Sequence, residues 1–458
     1  MIKKFLLFVF IPVFSISVSA QGEADHWYFG VMGGLDFSNG TPVAVSGSLN
    51  SSEGTASISS AAGNLMFYTD GVTVWDSSHT AMSNGSGLMG DVSTTQSAII
   101  IPSPGSASRY YVFTLAADGG AAGFRYSIVD MTLNGGMGDV TPTKNIFVTD
   151  SITEKICAIR DANETGYWIT IHKWGTNQFY SYHLTSSGLS APVISSVGSV
   201  HTTSAIQNTY GQMKFNMCGD KLALTTGYLN TLEIFDFDIN TGMVSNPMIF
   251  SIGYHVYGVE FAKGSGLLYL TSYNPSSTLT QYDITLSTQA AIDAAKIPLS
   301  VTPDLYALQI GPDGKIYVAQ SFSNPFIGVI NNPDIYGFGA NYVENAIHVD
   351  PMGNGVMAAL GLPAFMQNYL KKNVTCAVGI EESNAEHFPV IYPNPTAGEF
   401  NIRSSGKSLI SIYDYTGRLI ESIPVNGNAV FGKDYAAGIY LVVCRPEQKG
   451  HTFKIIKE

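Results

Sequence analysis

Charge is scarce in this chain: 23 lysines and arginines and 35 aspartates and glutamates make up 13% of 458 residues, against 45% apolar residues. That balance folds rather than staying disordered, and the length allows more than one core. Positive charge is scarcest between residues 21 and 372, where 13 basic residues face 26 acidic ones, a net of 13 − 26 = −13. Such a body repels phosphate backbones, so nucleic acid is excluded as a partner. Cysteine is nearly missing. Cys157, Cys218, Cys376 and Cys444 lie far apart and lack the spacing of a disulfide framework. Cys157, inside the apolar KICAI, reads as a small buried hydrophobe rather than a nucleophile. No run after residue 20 approaches the roughly 20 apolar residues of a spanning helix, so no transmembrane anchor is expected.

Catalytic signatures are also lacking. There is no nucleophile elbow, zinc spacing or phosphate loop, so no catalytic residue, metal or cofactor is assigned. LNGGMGDV (133–140) lacks the strand-then-helix setting of a dinucleotide fingerprint and reads as a turn. DFDINTG sets Asp236, Asp238 and Asn240 two apart, as calcium loops do, but its glycine comes one residue late and no glutamate completes the ligands.

What is present begins with a secretory layout over residues 1–20: Lys3 and Lys4, an apolar stretch, then small residues ending at Ala20. The remainder is rich in glycine (47) and aromatics (12%), the marks of many short strands joined by turns. One unit recurs: a strand, a tight glycine turn, then a second apolar strand. It appears in SSAAGNLMFYTDG, PSPGSASRYYVFT, RDANETGYWIT, NMCGDKLALTTG, AKGSGLLYLTS and GPDGKIYVAQ. The copies are about 40 to 55 residues apart, the period of a four-stranded propeller blade. An all-β fold follows: a β-propeller over 21–372, with seven blades favoured over six or eight. The seventh is closed by joining GLPAFMQNYL (361–370) to HWYFG (26–30). One helix is expected at TQAAIDAAK (288–296).

A polar stretch with three glutamates, 373–387, reads as a linker, and the composition then shifts: residues 388–458 hold eight basic and six acidic residues, a net of 8 − 6 = +2. Short strands there suit a small Ig-like β-sandwich. The residues Tyr392-Pro393-Asn394-Pro395, Gly398, Phe400, Gly417-Arg418, Gly438, Tyr440, Lys454 and Lys457, in this order, resemble the type A C-terminal sorting domain of proteins exported by the type IX secretion system of Bacteroidota. The resemblance implies recognition by the type IX machinery, removal by its C-terminal signal peptidase, and a destination at the outer cell surface or in the medium by way of the periplasm. The alternative is an ordinary Ig-like binding domain. A bridge between Cys376 and Cys444 would tether the tail after cleavage and is expected to be absent. The front part, in HWYFGVMGGLDF and LMFYTDGVTVW, is similar to propeller regions that accompany this domain, which implies architecture more than activity.

Two groups are candidates for ligand binding. His172, Lys173 and Trp174 are expected on a loop, where a cation beside an aromatic can hold a sugar or peptide. Aligning GQMKF, GVEF and ALQI puts Lys214, Glu260 and Gln309 at matching positions in consecutive blades, which predicts a Lys214–Glu260 contact near the channel. His201 and His255 lack partners at ligand spacing and are expected to be structural. The expected function is an exported binding or adhesion protein that takes a glycan or protein ligand. The rival is a propeller hydrolase of lactonase or glycosidase type, which would gather two or three titratable groups at one channel mouth.

Overall fold

The computed structural model describes residues 21–264, 266–274, 277–301, 304–370, 374, 390–445 and 451–458. The expected signal peptide and nearly all of the expected linker, with Cys376, lie outside them, as does the side chain of Cys444. The chain divides into two compact units, residues 1–376 and 377–458.

Among its described residues the first unit is built from seven small antiparallel sheets in chain order, spanning 26–50, 56–86, 98–149, 152–196, 213–251, 255–300 and 308–348. Each begins with a strand buried on both faces, such as Ala98–Pro102 (AIIIP) or Ile152–Arg160, and ends with one that is largely exposed or half-exposed, such as Met243–Ser251 or Tyr342–His348. That gradient is what stacked blades require, because inner strands are covered by neighbours and outer edges meet solvent. The recurrent turns join first and second strands. Gly63, Gly219 and Gly314 stand there at φ +85°, +74° and +81°, a region a side chain rarely adopts. The expected helix spans Gln289–Ala295, capped by the Thr288 side chain, which accepts from Ala291 N.

A circuit of hydrogen bonds closes the ring where the inner strands begin. It runs Gly54 N to Thr94 O (3.0 Å), Gln96 N to Glu154 O (3.2 Å), Glu154 N to Thr209 O (3.1 Å) and Gln212 N to Tyr257 O (2.9 Å). Thr271 Oγ1 then relays Gly258 N to Tyr306 O. Ala307 N donates to Leu360 O (3.1 Å) and Leu360 N to Ser52 O (3.0 Å). Leu360 therefore stands where every other blade starts its inner strand. Downstream, Pro363 bridges Thr55 in parallel, and Phe365 packs 5.7 Å from Trp27. Residues 361–366 thus take the inner position of the blade at 26–50 without forming a regular strand, the closure expected from sequence.

Cys157 is free and buried, whereas Cys218 is disulfide-bonded, which the wide cysteine spacing had not suggested.

The second unit is one five-stranded sheet, and the two layers expected of a sandwich arise because its long strands, Phe400–Asp414 and Leu419–Phe431, curl round a core of Phe400, Ile402, Ile410, Ile412, Val442 and Ile455. Among the described residues no helix is long and apolar enough to cross a membrane.

Candidate functional site

The residues just ahead of the inner strands, or opening them, converge on one mouth of the ring. Glu154 is fully buried there. Its Oε2 accepts from Thr95 N and Thr95 Oγ1, both at 2.9 Å, and its Oε1 from Asp118 N (2.9 Å) and Thr209 Oγ1 (3.4 Å). Burial raises its pKa against the pull of those donors. Its role is to anchor the turn Ala117–Gly119, in which Asp118 takes φ 58°. Gly119 lies under the Trp174 ring, where a Cβ would meet Cε3 at 2.1 Å.

Glu53 comes from the far side of the mouth. Tyr257 donates its hydroxyl to Glu53 Oε2 at 2.8 Å, and the Thr95 hydroxyl lies beside the same carboxyl. Burial, with the neighbouring Glu154, pushes Glu53 up to about 8, so it carries a proton at neutral pH. It remains partly exposed, unlike Glu154. Aromatic rings continue the rim: Tyr257 and Tyr306 meet edge to face at 5.4 Å, Tyr273 and Tyr306 lie 5.5 Å apart, and Tyr228 stacks on His255 at 4.0 Å. Tyr210 sits next to Asp118. The nearby cation is spent inwardly. Lys155 Nζ donates to the carbonyls of Thr209 (2.6 Å) and Tyr210 (2.7 Å), and burial pulls its pKa down to about 7.

The channel below is filled. Gln96 Oε1 accepts from Ile156 N (3.2 Å) and Met213 N (2.9 Å), and Gln212 Oε1 from Val259 N (3.3 Å) and Leu308 N (2.9 Å). Deeper, Lys214 Nζ meets Glu260 Oε2 at 3.2 Å and donates to Gln309, while Gln367 donates to Phe215 O (2.7 Å) and Glu260 Oε1 (3.2 Å). The expected Lys214–Glu260 contact is formed, and both residues are buried within a hydrogen-bonded polar plug.

The other sequence candidates fall elsewhere. His172 and Lys173 end the strand Tyr167–Lys173 instead of lying on a loop, because the strand stays buried on both faces from Trp168 to His172. His172 is buried and stacked on His201 at 3.7 Å, with its pKa pushed down to about 3 by burial and the nearby Lys155. Lys173 turns to Thr149 and Asp150, and Trp174 onto Gly119, so the three do not form one exposed group. Asp236 takes Asn246 and Lys221, and Asp238 caps its own turn through Asn240 and Thr241. Asn134–Gly136 within LNGGMGDV is a single 3-10 turn.

In the second unit the motif residues meet. Asn394 donates to Lys454 O (2.9 Å) and accepts from Ile456 N (2.8 Å), and Glu458 N donates to Thr396 O (2.9 Å). Lys457 donates to the carbonyls of Gly398 and Lys433. Phe400 stacks on Phe431, Gly417 turns at φ +84° beside the Arg418–Asp414 pair, and Tyr440, two residues after Gly438, donates to Ala436 O. Tyr392, ahead of Pro393 and Pro395, is half exposed.

Residues 390–458 match the family model of the secretion system C-terminal sorting domain. The tail is therefore a type IX sorting domain, and the chain is a cargo of that machinery, bound for the cell surface or the extracellular space. No curated protein matches the chain. Among solved structures it is similar to a putative 6-phosphogluconolactonase from Bacteroides fragilis, at 9% identity and TM-score 0.47, covering 76% of this chain and 98% of that one. The periplasmic gluconolactonase of Pseudomonas aeruginosa gives 10% identity and TM-score 0.35, covering 79% and 94%. The Cps50 (Swd1) β-propeller domain of Myceliophteria thermophila gives 9% identity and TM-score 0.39, covering 65% and 94%.

Proposed function

We propose that the ring is the cargo proper, an exported binding protein that holds a neutral, hydroxyl-rich ligand such as a glycan end at the Glu53 mouth. In this reading residues 1–20 direct passage across the inner membrane, and a C-terminal signal peptidase removes the tail. One observation carries it: Glu53, Asp118 and the phenols of Tyr210, Tyr257, Tyr273 and Tyr306 gather over a filled channel, while Lys155 is turned inward. Aromatic faces and paired donors and acceptors suit sugar rings, and with Lys155 turned inward the acidic mouth disfavours phosphorylated ligands. A hydrolase is the second reading, supported by Glu53 holding a proton beside the carboxylate of Asp118, an acid and a base in one place. The test applies the purified ring to a glycan array and to chromogenic glycosides and lactones, beside Glu53→Gln. Capture of neutral glycans, weakened by Tyr306→Ala, supports binding. Turnover lost in Glu53→Gln moves the assignment to a hydrolase, and neither signal refutes the mouth as the site.

A further inference from the structure

Lys454 and Lys457 stand three residues apart on the strand His451–Lys457, and a strand sends odd-spaced neighbours to opposite faces. Lys457 points inward, buried, and latches the carbonyls of Gly398 and Lys433. Lys454 points outward and is exposed. Pairing across the sheet aligns it with apolar side chains on the same face: Leu419 lies opposite Tyr413, Tyr413 opposite Leu441, and Leu441 opposite Lys454. Ile439 lies opposite Ile456 in the next row. Leu419, Ile439 and Leu441 are 51%, 44% and 41% exposed, whereas their chain neighbours Tyr440 and Val442 are in the core. Directly opposed residues form a continuous surface, and an exposed apolar patch on an exported domain marks a contact.

We propose that this row, Leu419, Tyr413, Leu441 and Lys454 with Ile439 and Ile456, is the face by which the type IX machinery grips the tail, and that Lys457 is a positioning residue that holds the strand carrying it. The partner that fits is an apolar groove with an acidic rim. Charge argues for that occupant: the body carries −13 over residues 21–372 and the tail +2 over 388–458, so an acidic receptor repels the cargo and attracts the tag within the same chain. Residues 390–458 are, moreover, the segment that matches the sorting family.

The full chain is expressed in a bacterium possessing type IX machinery, and its distribution between periplasm and medium is measured for Leu441→Glu, Lys454→Glu, Lys454→Arg and Lys457→Gln, with thermal melting of each purified chain. Lys454→Glu and Leu441→Glu are expected to lower export by about tenfold or more, the scale of like-charge juxtaposition at an interface, without shifting the melt. Lys454→Arg keeps export, and Lys457→Gln lowers the melt of the tail together with export. Wild-type export of Lys454→Glu overturns the proposal. So does a dimer that Leu441→Glu dissolves while export is unchanged, since the face then belongs to a second copy of the chain.

Discussion

The Tyr257 hydroxyl donates to Glu53 Oε2 at 2.8 Å across the mouth of the ring, joining side chains 204 positions apart. Neither residue belongs to a local motif. Their meeting depends on the ring being closed, so the bond reports on both architecture and site.

Glu53 gives the mouth a pH signature. Its folded pKa, about 8, is raised above its ordinary value of 4.5, so the folded chain keeps a proton that the unfolded chain releases. The resulting stability is full below the unfolded value and is lost as pH rises through the folded one. Melting temperature is expected to fall less between about pH 5 and pH 8 in Glu53→Gln than in the wild type, read by calorimetry across that window. Parallel curves would show that Glu53 is ionised in the fold.

The polar plug makes a second prediction. Lys214→Met leaves Glu260 buried without its cation and is expected to cost about 3–5 kcal/mol in urea unfolding. Combining it with Glu260→Leu removes the stranded charge and recovers most of the loss. An unrecovered double variant would mean that Gln309 and Gln367 depend on the pair more than the pair depends on itself.

Ring closure can be tested at Phe365. It is buried against Trp27, and Phe365→Ala is expected to destabilise the first unit by about 3–5 kcal/mol, the usual cost of a large aromatic cavity. A loss on the scale of a surface substitution, measured by denaturant titration, would remove 361–366 from the inner layer.

Cysteine chemistry supplies a fourth test. Cys157 is buried and its thiol is pushed well above its ordinary pKa by burial, so a thiol reagent followed by peptide mapping should leave it unlabelled until denaturant is added. Cys218 should take label only after reduction.

Much of the ring could be read from residues alone. The glycine turns carry a local geometric demand, and alignment of GQMKF, GVEF and ALQI brought Lys214 to Glu260 because equivalent inner-strand positions are neighbours in a closed ring. The mouth was not read, although its signal lies one step earlier in the same alignment: Tyr210, Tyr257 and Tyr306 immediately precede those segments. Glu53, Asp118 and Glu154 have no such marker, for each comes from a different blade and only the circular geometry collects them. His172 misled for the opposite reason: a histidine beside Lys173 and Trp174 looks like an exposed trio, while it ends a strand covered on both faces and stacks on His201. In the tail the order of motif residues was legible, but the division of labour between Lys454 and Lys457 needed the strand and its register.

Because Leu360 and the residues after it complete the blade begun at His26, a ribosome has nearly finished the message before the first blade finds its missing member. Without that segment the ring is left open at the blade begun by His26. The export address lies beyond that segment in the chain, so a product cut short before the clasp also lacks the label.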